Sequence, residues 1–330
     1  MHRSLTGARG AILVSCLLVA ACSGTTPTAT PTTASPAPAS ASASGTAEPS
    51  SAPPTASPSV SASASASAEA SPSGDPAKPV FADFDPSKFT NGSNITNAWL
   101  PLQPGRRWIE DGVTIEDGER IPHKIVFTVT NLTKKIEGIP TVVAYVEDYA
   151  DGQLVEKEIA FYAQDDDGTV WYFGEHPEEY EDGEFVQAPT WIAGIADAKP
   201  GVKVFGDPST QTYAIYQGWA PKVDWNDYGR LDEHQDKDCV PAGCFNDVYR
   251  FAESSDEEAG IFQLKSYAKG IGEIRTGARG GGDSQEDLKL KSKALLKGVD
   301  LEKVDALARA MEAHAYQISM DVYAKTERMQ

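Results

Sequence analysis

Apolar and polar residues alternate along much of the chain after Arg106, in stretches separated by short turn signals. Alternation predicts half-buried β-strands, because successive side chains of a strand point to opposite faces of a sheet. Glycines at 138, 152 and 168 mark the first turns at the spacing of long hairpins. The predicted strands are residues 125–130, 139–149, 154–162, 169–173, 211–219, 245–252, 260–267, 272–276 and 285–291.

The C-terminal segment changes to a helical period. Its apolar residues follow a 3-4-3-4 spacing from Leu301 to Val322, while Glu302 and Glu312 fall on the polar face. Asp300 stands where an N-cap belongs, so the spacing predicts one amphipathic helix over about 300–326. No helix separates the strands, so the sheet should be antiparallel. We therefore predict a mainly β fold: a curved antiparallel β-sheet, or half-barrel meander, with this helix packed on its open face. A coiled-coil dimer is the alternative; the weak apolar stripe favours a monomer.

The N-terminus has the features of an export signal. Arg3 and Arg9 precede the apolar stretch 11–21, which is too short to span a bilayer. The stretch ends in Val19-Ala20-Ala21-Cys22, which resembles the lipobox of bacterial lipoproteins. That resemblance implies cleavage before Cys22, acylation of its sulfur and anchoring to the cell membrane on the extracytoplasmic side. An ordinary signal peptide with an accidental cysteine is the alternative.

Residues 23–79 form a low-complexity segment. Of its 57 residues, 49 are Ser, Thr, Pro or Ala, and none is aromatic. Such a segment cannot bury enough apolar surface to offset its ordering entropy, which predicts a disordered tether. Its composition also resembles that of O-glycosylated stalks. Residues 80–330 are left to form a single β-rich domain.

Charge narrows the range of partners. The chain has a net charge of −19, and residues 80–330 carry 45 acids against 26 bases. This balance excludes a nucleic-acid binder, which needs basic charge to neutralise phosphates. We interpret the acidity as a source of solubility and of repulsion from an anionic surface, not as a recognition device.

Two cysteines remain after the signal, Cys239 and Cys244. Their spacing around a proline and a glycine suits a disulfide that closes a hairpin turn, and an exported chain permits the oxidation. A zinc site is the alternative, but it would need further ligands, and His234 is the one nearby histidine.

Signatures of catalysis are mostly absent. The acidic segments 175–184 and 232–238 are interpreted as solvated loops that hold His176 and His234. No cofactor is expected; Ca²⁺ at Asp165, Asp167 and Glu175 is the alternative, although the spacing does not match an EF-hand. A carboxylate pair such as Glu175 with Glu184 could serve hydrolysis, which keeps a metal-dependent or carboxylate-based hydrolase as the competing function.

Aromatic residues are dense in the folded part. Rings on both faces of one strand indicate either that both faces are covered or that one face forms a ligand groove. The candidate groove residues are Trp171, Phe173, Trp191 and Trp219. Core packing alone is the alternative.

Several segments between about 85 and 295 carry a resemblance. The segments 161–175, 189–194, 239–248 and 264–272 resemble a pattern found in a group of uncharacterised exported bacterial lipoproteins. Ser266 and Lys269 depart from that pattern, so the local turn is expected to differ. The group is similar to proteins with a lipoprotein-carrier-like (LolA/LppX-like) fold, whose concave side holds acyl chains. The resemblance implies a non-catalytic binding or envelope-structural module for a lipid or other apolar or amphipathic ligand, but carries over no binding residue.

Overall fold

A computed structural model describes residues 78–330, apart from 259 and 283. The predicted signal, the predicted acylation site Cys22 and the predicted tether lie outside the described residues. No helix in the described part is long and apolar enough to cross a membrane. The strands are β1 (Arg106–Glu116), β2 (Glu119–Ile136), β3 (Ile139–Ala150), β4 (Gln153–Gln164), β5 (Val170–Glu181), β6 (Glu184–Gln187), β7 (Trp191–Ile192), β8 (Lys199–Val204), β9 (Ile215–Tyr216), β10 (Gly218–Trp219), β11 (Tyr228–Val240), β12 (Gly243–Ser254), β13 (Phe262–Ala268), β14 (Gly272–Arg279) and β15 (Ser284–Leu295).

All these strands belong to one curled antiparallel sheet, which confirms the predicted fold class. The order is β10-β8-β5-β4-β3-β2-β1-β15-β14-β13-β12-β11-β9, with β6 and β7 also paired to β5. The two ends of this order, β9 and β10, are separated along the chain by Gln217 alone. The sheet therefore curls until its ends meet at one residue, and we call this junction the seam.

Strands β2 to β5 are covered on both faces. Side chains on their outer face, such as Val143 and Phe161, pack with the C-terminal helix α1 (Val299–Ile318). Their neighbours in sequence, such as Val142 and Tyr162, point into the curl and pack against β12, β13 and β15. This double coverage explains the near-continuous apolar runs in these strands.

The helix is shorter than predicted. It is capped by Gly298 and not by Asp300, ends at Ile318, and is followed by a short 3₁₀ turn at Tyr323–Lys325. Val322 remains buried, because the segment after the helix folds back onto the same outer core. That return explains why the apolar spacing continues beyond the helix end.

Glu312 does not lie on a solvated helix face as predicted. It is buried, and Lys134 Nζ lies 3.2 Å from its Oε1. The same oxygen accepts a hydrogen bond from the Met329 backbone N–H at 2.8 Å. Burial lowers the pKa of Lys134 to about 8, although Glu312 opposes the shift. This ion pair joins β2, the helix and the C-terminal tail.

Both acidic segments are strands and not loops, which corrects the prediction. The first lies largely in β5, where Glu175 and His176 are buried on opposite faces. The second is part of β11, which pairs with β12 from Tyr228 to Val240. Charged residues usually lie at the solvent-exposed surface of a protein. Here Glu175 instead lines a polar interior.

Candidate functional site

The curl of the sheet encloses a cavity of about 200 Å³. Aromatic and aliphatic side chains form much of its wall, among them Trp108, Phe127, Tyr162 and Trp225. Tyr162 and Tyr172 stack with ring centroids 4.7 Å apart, and Trp108 meets Phe127 edge-on at 5.7 Å. Aromatic walls around a few polar groups are typical of small-molecule sites, although this volume is below the usual range for drug-sized ligands.

The remainder of the wall is strongly acidic. Nine carboxylic acids line the cavity, accompanied by the two lysines Lys203 and Lys265. The acids are Glu110, Asp148, Glu156, Glu158, Glu175, Asp227, Glu253, Glu273 and Glu286. Part of the negative charge of the chain is thus turned inward, so the interpretation of all acidity as surface repulsion is incomplete.

Lys203, Gln217 and Glu253 connect the two sides of the seam. Lys203 Nζ lies 3.1 Å from both carboxylate oxygens of Glu253 and donates to Gln217 Oε1 at 3.1 Å. The Gln217 amide in turn donates to Glu253 at 2.8 Å. Burial alone would raise the pKa of Glu253, but Lys203 and Lys265 hold it at about 2. Glu253 is therefore ionised at neutral pH.

Glu158 and Glu175 share the hydroxyl of Tyr172. This hydroxyl lies 3.2 Å from Glu158 Oε1 and makes a very short hydrogen bond to Glu175, whose other oxygen accepts from Trp191 Nε1 at 3.1 Å. Burial, together with the charge of Glu175, raises the pKa of Glu158 to about 8. Glu158 therefore holds a proton at neutral pH and can donate a hydrogen bond to a ligand.

A bulge in β5 brings Tyr172 and Glu175 to the same face. The register with β4 shifts here, so that Tyr162 pairs with Tyr172 while Phe161 pairs with Gly174. Gly174 has a φ of 133°, and a Cβ there would lie 2.4 Å from the Trp191 carbonyl oxygen. A glycine is thus required for the change of phase that turns Glu175 inward.

His123 connects two of the cavity acids. It is fully buried, and its Nε2 lies 2.8 Å from Asp148 Oδ1, while its Nδ1 lies 2.7 Å from the Thr114 hydroxyl and 3.6 Å from Glu286. Burial opposes protonation, but Asp148 and Glu286 raise the pKa of His123 above its usual value. The sequence pattern assigned His123 no role, since this histidine only precedes the predicted strand 125–130.

Two cavity acids have an oxygen without any hydrogen-bond partner among the described residues, Glu110 and Asp227. Glu110 is 7% exposed. Burial, and then repulsion by Glu273, raises the pKa of Glu110 well above its usual value. Burial, and then Glu175 and Glu253, does the same to Asp227. A buried oxygen without a hydrogen-bond partner lowers the stability of the fold. A ligand that donates a hydrogen bond to either oxygen would therefore be stabilised there.

The four rings predicted to form a groove do not meet. Trp171 and Phe173 lie in the outer core with the helix, and Trp171 also lines a second, separate pocket together with Asp165 and Val202. Trp191 belongs to the inner core beside the cavity. Trp219 packs at the seam with Phe81 and Tyr216. The strand that holds three neighbouring rings is covered on both sides, and the cavity lies on the face away from the helix.

The weak calcium candidates are also separated. Asp165 is engaged by the Thr169 and Asp167 backbone N–H groups and by the Trp171 indole N–H. Asp167 forms an exposed ion pair with Lys88, and Glu175 belongs to the cavity. Among the described residues, no group of three or more His, Cys, Asp or Glu side chains is arranged to hold a metal ion.

The residues suggested for a hydrolase do not converge. His176 faces the helix side, where its ring contacts Tyr323 and its Nδ1 lies 2.6 Å from the Thr190 hydroxyl. Glu184 lies exposed at the hairpin end, opposite Glu181, whereas Glu175 points into the cavity. His176, Glu184 and Glu175 therefore do not come together as the nucleophile, base and acid of one catalytic site.

The predicted disulfide is confirmed. Cys239 and Cys244 are bonded and lie opposite each other at the end of the β11–β12 hairpin. Cys239 also accepts a hydrogen bond through its carbonyl oxygen from Arg275. The disulfide closes a turn of a long hairpin whose other end contributes Asp227 and Glu253 to the region of the seam.

No protein-family model matches the chain, and no curated protein matches it. Three solved structures align with part of the chain at low similarity. One is a protein assigned as exported, with a YmcC-like fold, from Bacteroides fragilis (13% identity, TM-score 0.37, 60% of this chain and 99% of that chain). Another is a protein assigned as a lipoprotein from Parabacteroides distasonis (13%, 0.34, 60% and 99%). The third is a β-barrel-like protein of the domain of unknown function DUF1849 from Brucella abortus (12%, 0.32, 61% and 100%). Identities and TM-scores of this size assign neither a family nor an activity.

Proposed function

We propose that this chain is an extracytoplasmic, membrane-tethered binding protein that holds one small amphipathic ligand inside its curled sheet. The export signal, the lipobox-like segment ending in Cys22 and the low-complexity tether support the location. The single observation that carries the binding role is the cavity, whose wall combines aromatic rings with buried polar groups that lack partners. The role is non-catalytic.

The cavity favours a small ligand over the acyl chains of a lipid carrier. Its volume of about 200 Å³ is modest, and the space beneath the helix is filled by the outer core. Acyl chains would also have to lie against nine carboxylic acids, which would lose hydration without gaining hydrogen bonds. A compact molecule with an apolar body and a polar head satisfies both parts of the wall.

A titration with a neutral amphipathic probe tests this function. Trp108 and Trp225 line the cavity, so 2-phenylethanol should saturably change the tryptophan fluorescence of the full chain in a nonionic detergent. Val146→Trp fills the cavity from a partly exposed lining position and should abolish the change. The matched control is Leu307→Trp at an exposed helix position, which should leave the titration intact. A non-saturable response, or one equal in all three proteins, would contradict the proposal.

A further inference from the structure

The cavity holds more acid than its own cations can balance. Lys203 and Lys265 both lie against Glu253, and His123 lies between Asp148 and Glu286. Within the described part of the chain, no ion pair to a lysine, arginine or histidine is formed by the acids Glu110, Glu156, Glu158, Asp227 and Glu273. Burying carboxylic acids without partners costs stability, and apolar side chains of similar size would pack the same space more favourably. Packing of the core therefore does not explain why the cavity contains so many carboxylic acids.

Glu110 points to a missing donor. It is more than nine-tenths buried, lines the cavity, and its Oε1 has no hydrogen-bond partner. The charged and titratable groups that face it are Glu273 from β14, Glu286 from β15, and Lys265 and Tyr267 from β13. Two of these four groups are acids, so Glu273 and Glu286 place further carboxyl groups around Glu110 that can accept hydrogen bonds from an incoming cation.

The second unpartnered acceptor, on Asp227, repeats the pattern on the seam side of the cavity. The groups that face Asp227 are Glu175 and Glu253, with Lys203 and Lys265 as the opposing charges. Glu110 Oε1 and Asp227 Oδ1 thus offer acceptors that no donor within residues 78–330, apart from the undescribed 259 and 283, reaches. A ligand that enters between them can satisfy acceptors at both ends of one compact space.

The rings beside these acids suit the same kind of ligand. Trp108, Tyr162 and Tyr267 line the cavity with the acids. Aromatic faces attract cations through their quadrupole, and carboxylates accept hydrogen bonds from ammonium groups, so the two together favour an organic cation. A bare metal ion is disfavoured, because the described residues form no cluster of three suitable ligands.

We propose that the cavity selects a small organic cation, an amine with an apolar body, whose ammonium group donates hydrogen bonds to Glu110. This inference rests on the proposed binding function and adds the charge of the ligand to it. The rings hold the apolar body, and Asp227 offers the ligand a further hydrogen-bond acceptor.

Proton release should accompany the binding. Burial favours the protonated form of Glu110 in the empty cavity, with Glu273 and Glu286 adding to the effect and Lys265 opposing it. A bound ammonium favours the ionised carboxylate, so binding displaces a proton and becomes tighter as the pH rises, up to the pKa of the amine itself. A neutral ligand of the same shape would release none.

Three probes of matched shape and different charge test the inference. They are phenethylammonium, 2-phenylethanol and 3-phenylpropanoate, titrated calorimetrically into the full chain in a nonionic detergent at pH 7. We expect the ammonium probe to bind at least about tenfold more tightly than the alcohol, and the carboxylate to bind more weakly than either. Titrations in two buffers of different ionisation enthalpy should show proton release for the ammonium probe alone.

Two variants locate the effect. Glu110→Gln should reduce the affinity for phenethylammonium about tenfold and abolish most of the proton release, and it should change the affinity for 2-phenylethanol by a much smaller factor. Asp227→Asn should also weaken binding of the ammonium probe and serves as the second variant. Glu302→Gln, at an exposed helix position, is the matched control and should change nothing.

Each outcome decides one of the two proposals. Equal binding of the ammonium and the alcohol, or tighter binding of the carboxylate, would overturn the inference on charge and leave the binding function standing. Preference for the ammonium that survives both Glu110→Gln and Asp227→Asn would overturn the placement in the cavity. No binding of any probe would overturn both the inference and the proposed function.

Discussion

Lys203 Nζ lies 3.1 Å from both carboxylate oxygens of Glu253, across the seam at which the curled sheet returns to itself. Lys203 is on β8, near one end of the strand order, and Glu253 is on β12, near the other. Gln217, the one residue between β9 and β10, hydrogen-bonds to both. This ion pair therefore fastens a sheet whose terminal strands do not pair with each other.

Breaking the seam pair should destabilise the fold. Glu253→Gln removes the carboxylate that the partly buried Lys203 and Lys265 both contact, which should lower the free energy of unfolding by about 3 kcal/mol. Adding Lys203→Met should restore part of that loss, because the uncompensated charge is removed as well. Chemical denaturation of the single and double variants measures both effects. Asp300→Asn, which removes an exposed pair with Lys303, is the control and should have almost no effect.

The same pair predicts acid sensitivity. The pKa of Glu253 is held at about 2, below its usual value of 4.5, so its ionised form stabilises the fold above pH 4.5. That stabilisation should be lost as the pH falls from about 4.5 towards 2. In Glu253→Gln this portion of the acid dependence should be missing; an unaltered acid profile would contradict the assignment.

Glu158 should have the opposite effect at higher pH. Its pKa is raised to about 8, so the folded protein keeps a proton that the unfolded chain has already released above pH 4.5. Stability should therefore fall as the pH rises from about 5 to 8. Glu158→Gln cannot ionise, and its stability should decline less over the same range. Thermal melts at pH 5 and pH 8 compare the two proteins, and an identical decline would count against a protonated Glu158.

The bulge at Gly174 should tolerate no side chain. Gly174→Ala places a Cβ 2.4 Å from the Trp191 carbonyl oxygen at a φ of 133°, and should cost at least about 2 kcal/mol of stability. Gly277→Ala is the matched control, since its Cβ meets nothing within 4 Å and its φ needs no glycine. That control should remain within about 0.5 kcal/mol of the parent protein. Equal stabilities of the two variants would show that the bulge is dispensable.

The buried pair of Lys134 and Glu312 should hold the C-terminal tail. Lys134→Met leaves Glu312 buried without its cation, so we expect a loss of about 3 kcal/mol and faster amide exchange over residues 319–330. The double variant Lys134→Met/Glu312→Leu should regain most of the stability. Hydrogen exchange that is unchanged in the single variant would show that the tail is held by other contacts, such as the Thr133–Gln330 backbone hydrogen bonds.

Strand-like segments between turn signals were sufficient to predict the fold class, although only strands such as β14 alternate strictly, and β3 to β5 carry near-continuous apolar runs because both of their faces are covered. The turn glycines at 138, 152 and 168 gave the hairpins their length. The helix boundary was wrong because Val322 packs beneath the helix from the segment that follows it. Apolar spacing records burial, and here burial continues past the last helical residue.

The cavity could not be predicted by the same rule. Two carboxylates that are two residues apart, such as Glu156 and Glu158, predict the solvent-exposed face of a strand. In the structure this face lines the cavity inside the curled sheet. The sequence also could not show that Tyr172 and Glu175 face the same cavity. They are three residues apart and would lie on opposite faces of a regular strand, but the β5 bulge at Gly174 brings them to the same face. Long-range closure at Gln217 decides which face is inside, and no local pattern carries that information.

Native mass spectrometry of the full chain, purified from its own host, tests the central claim most directly. The account predicts one small-molecule adduct per chain, which is retained in Leu307→Trp and lost in the cavity-filling Val146→Trp. A chain without any adduct, or an adduct of equal abundance in both variants, would contradict the claim that the interior of the curled sheet is a binding site.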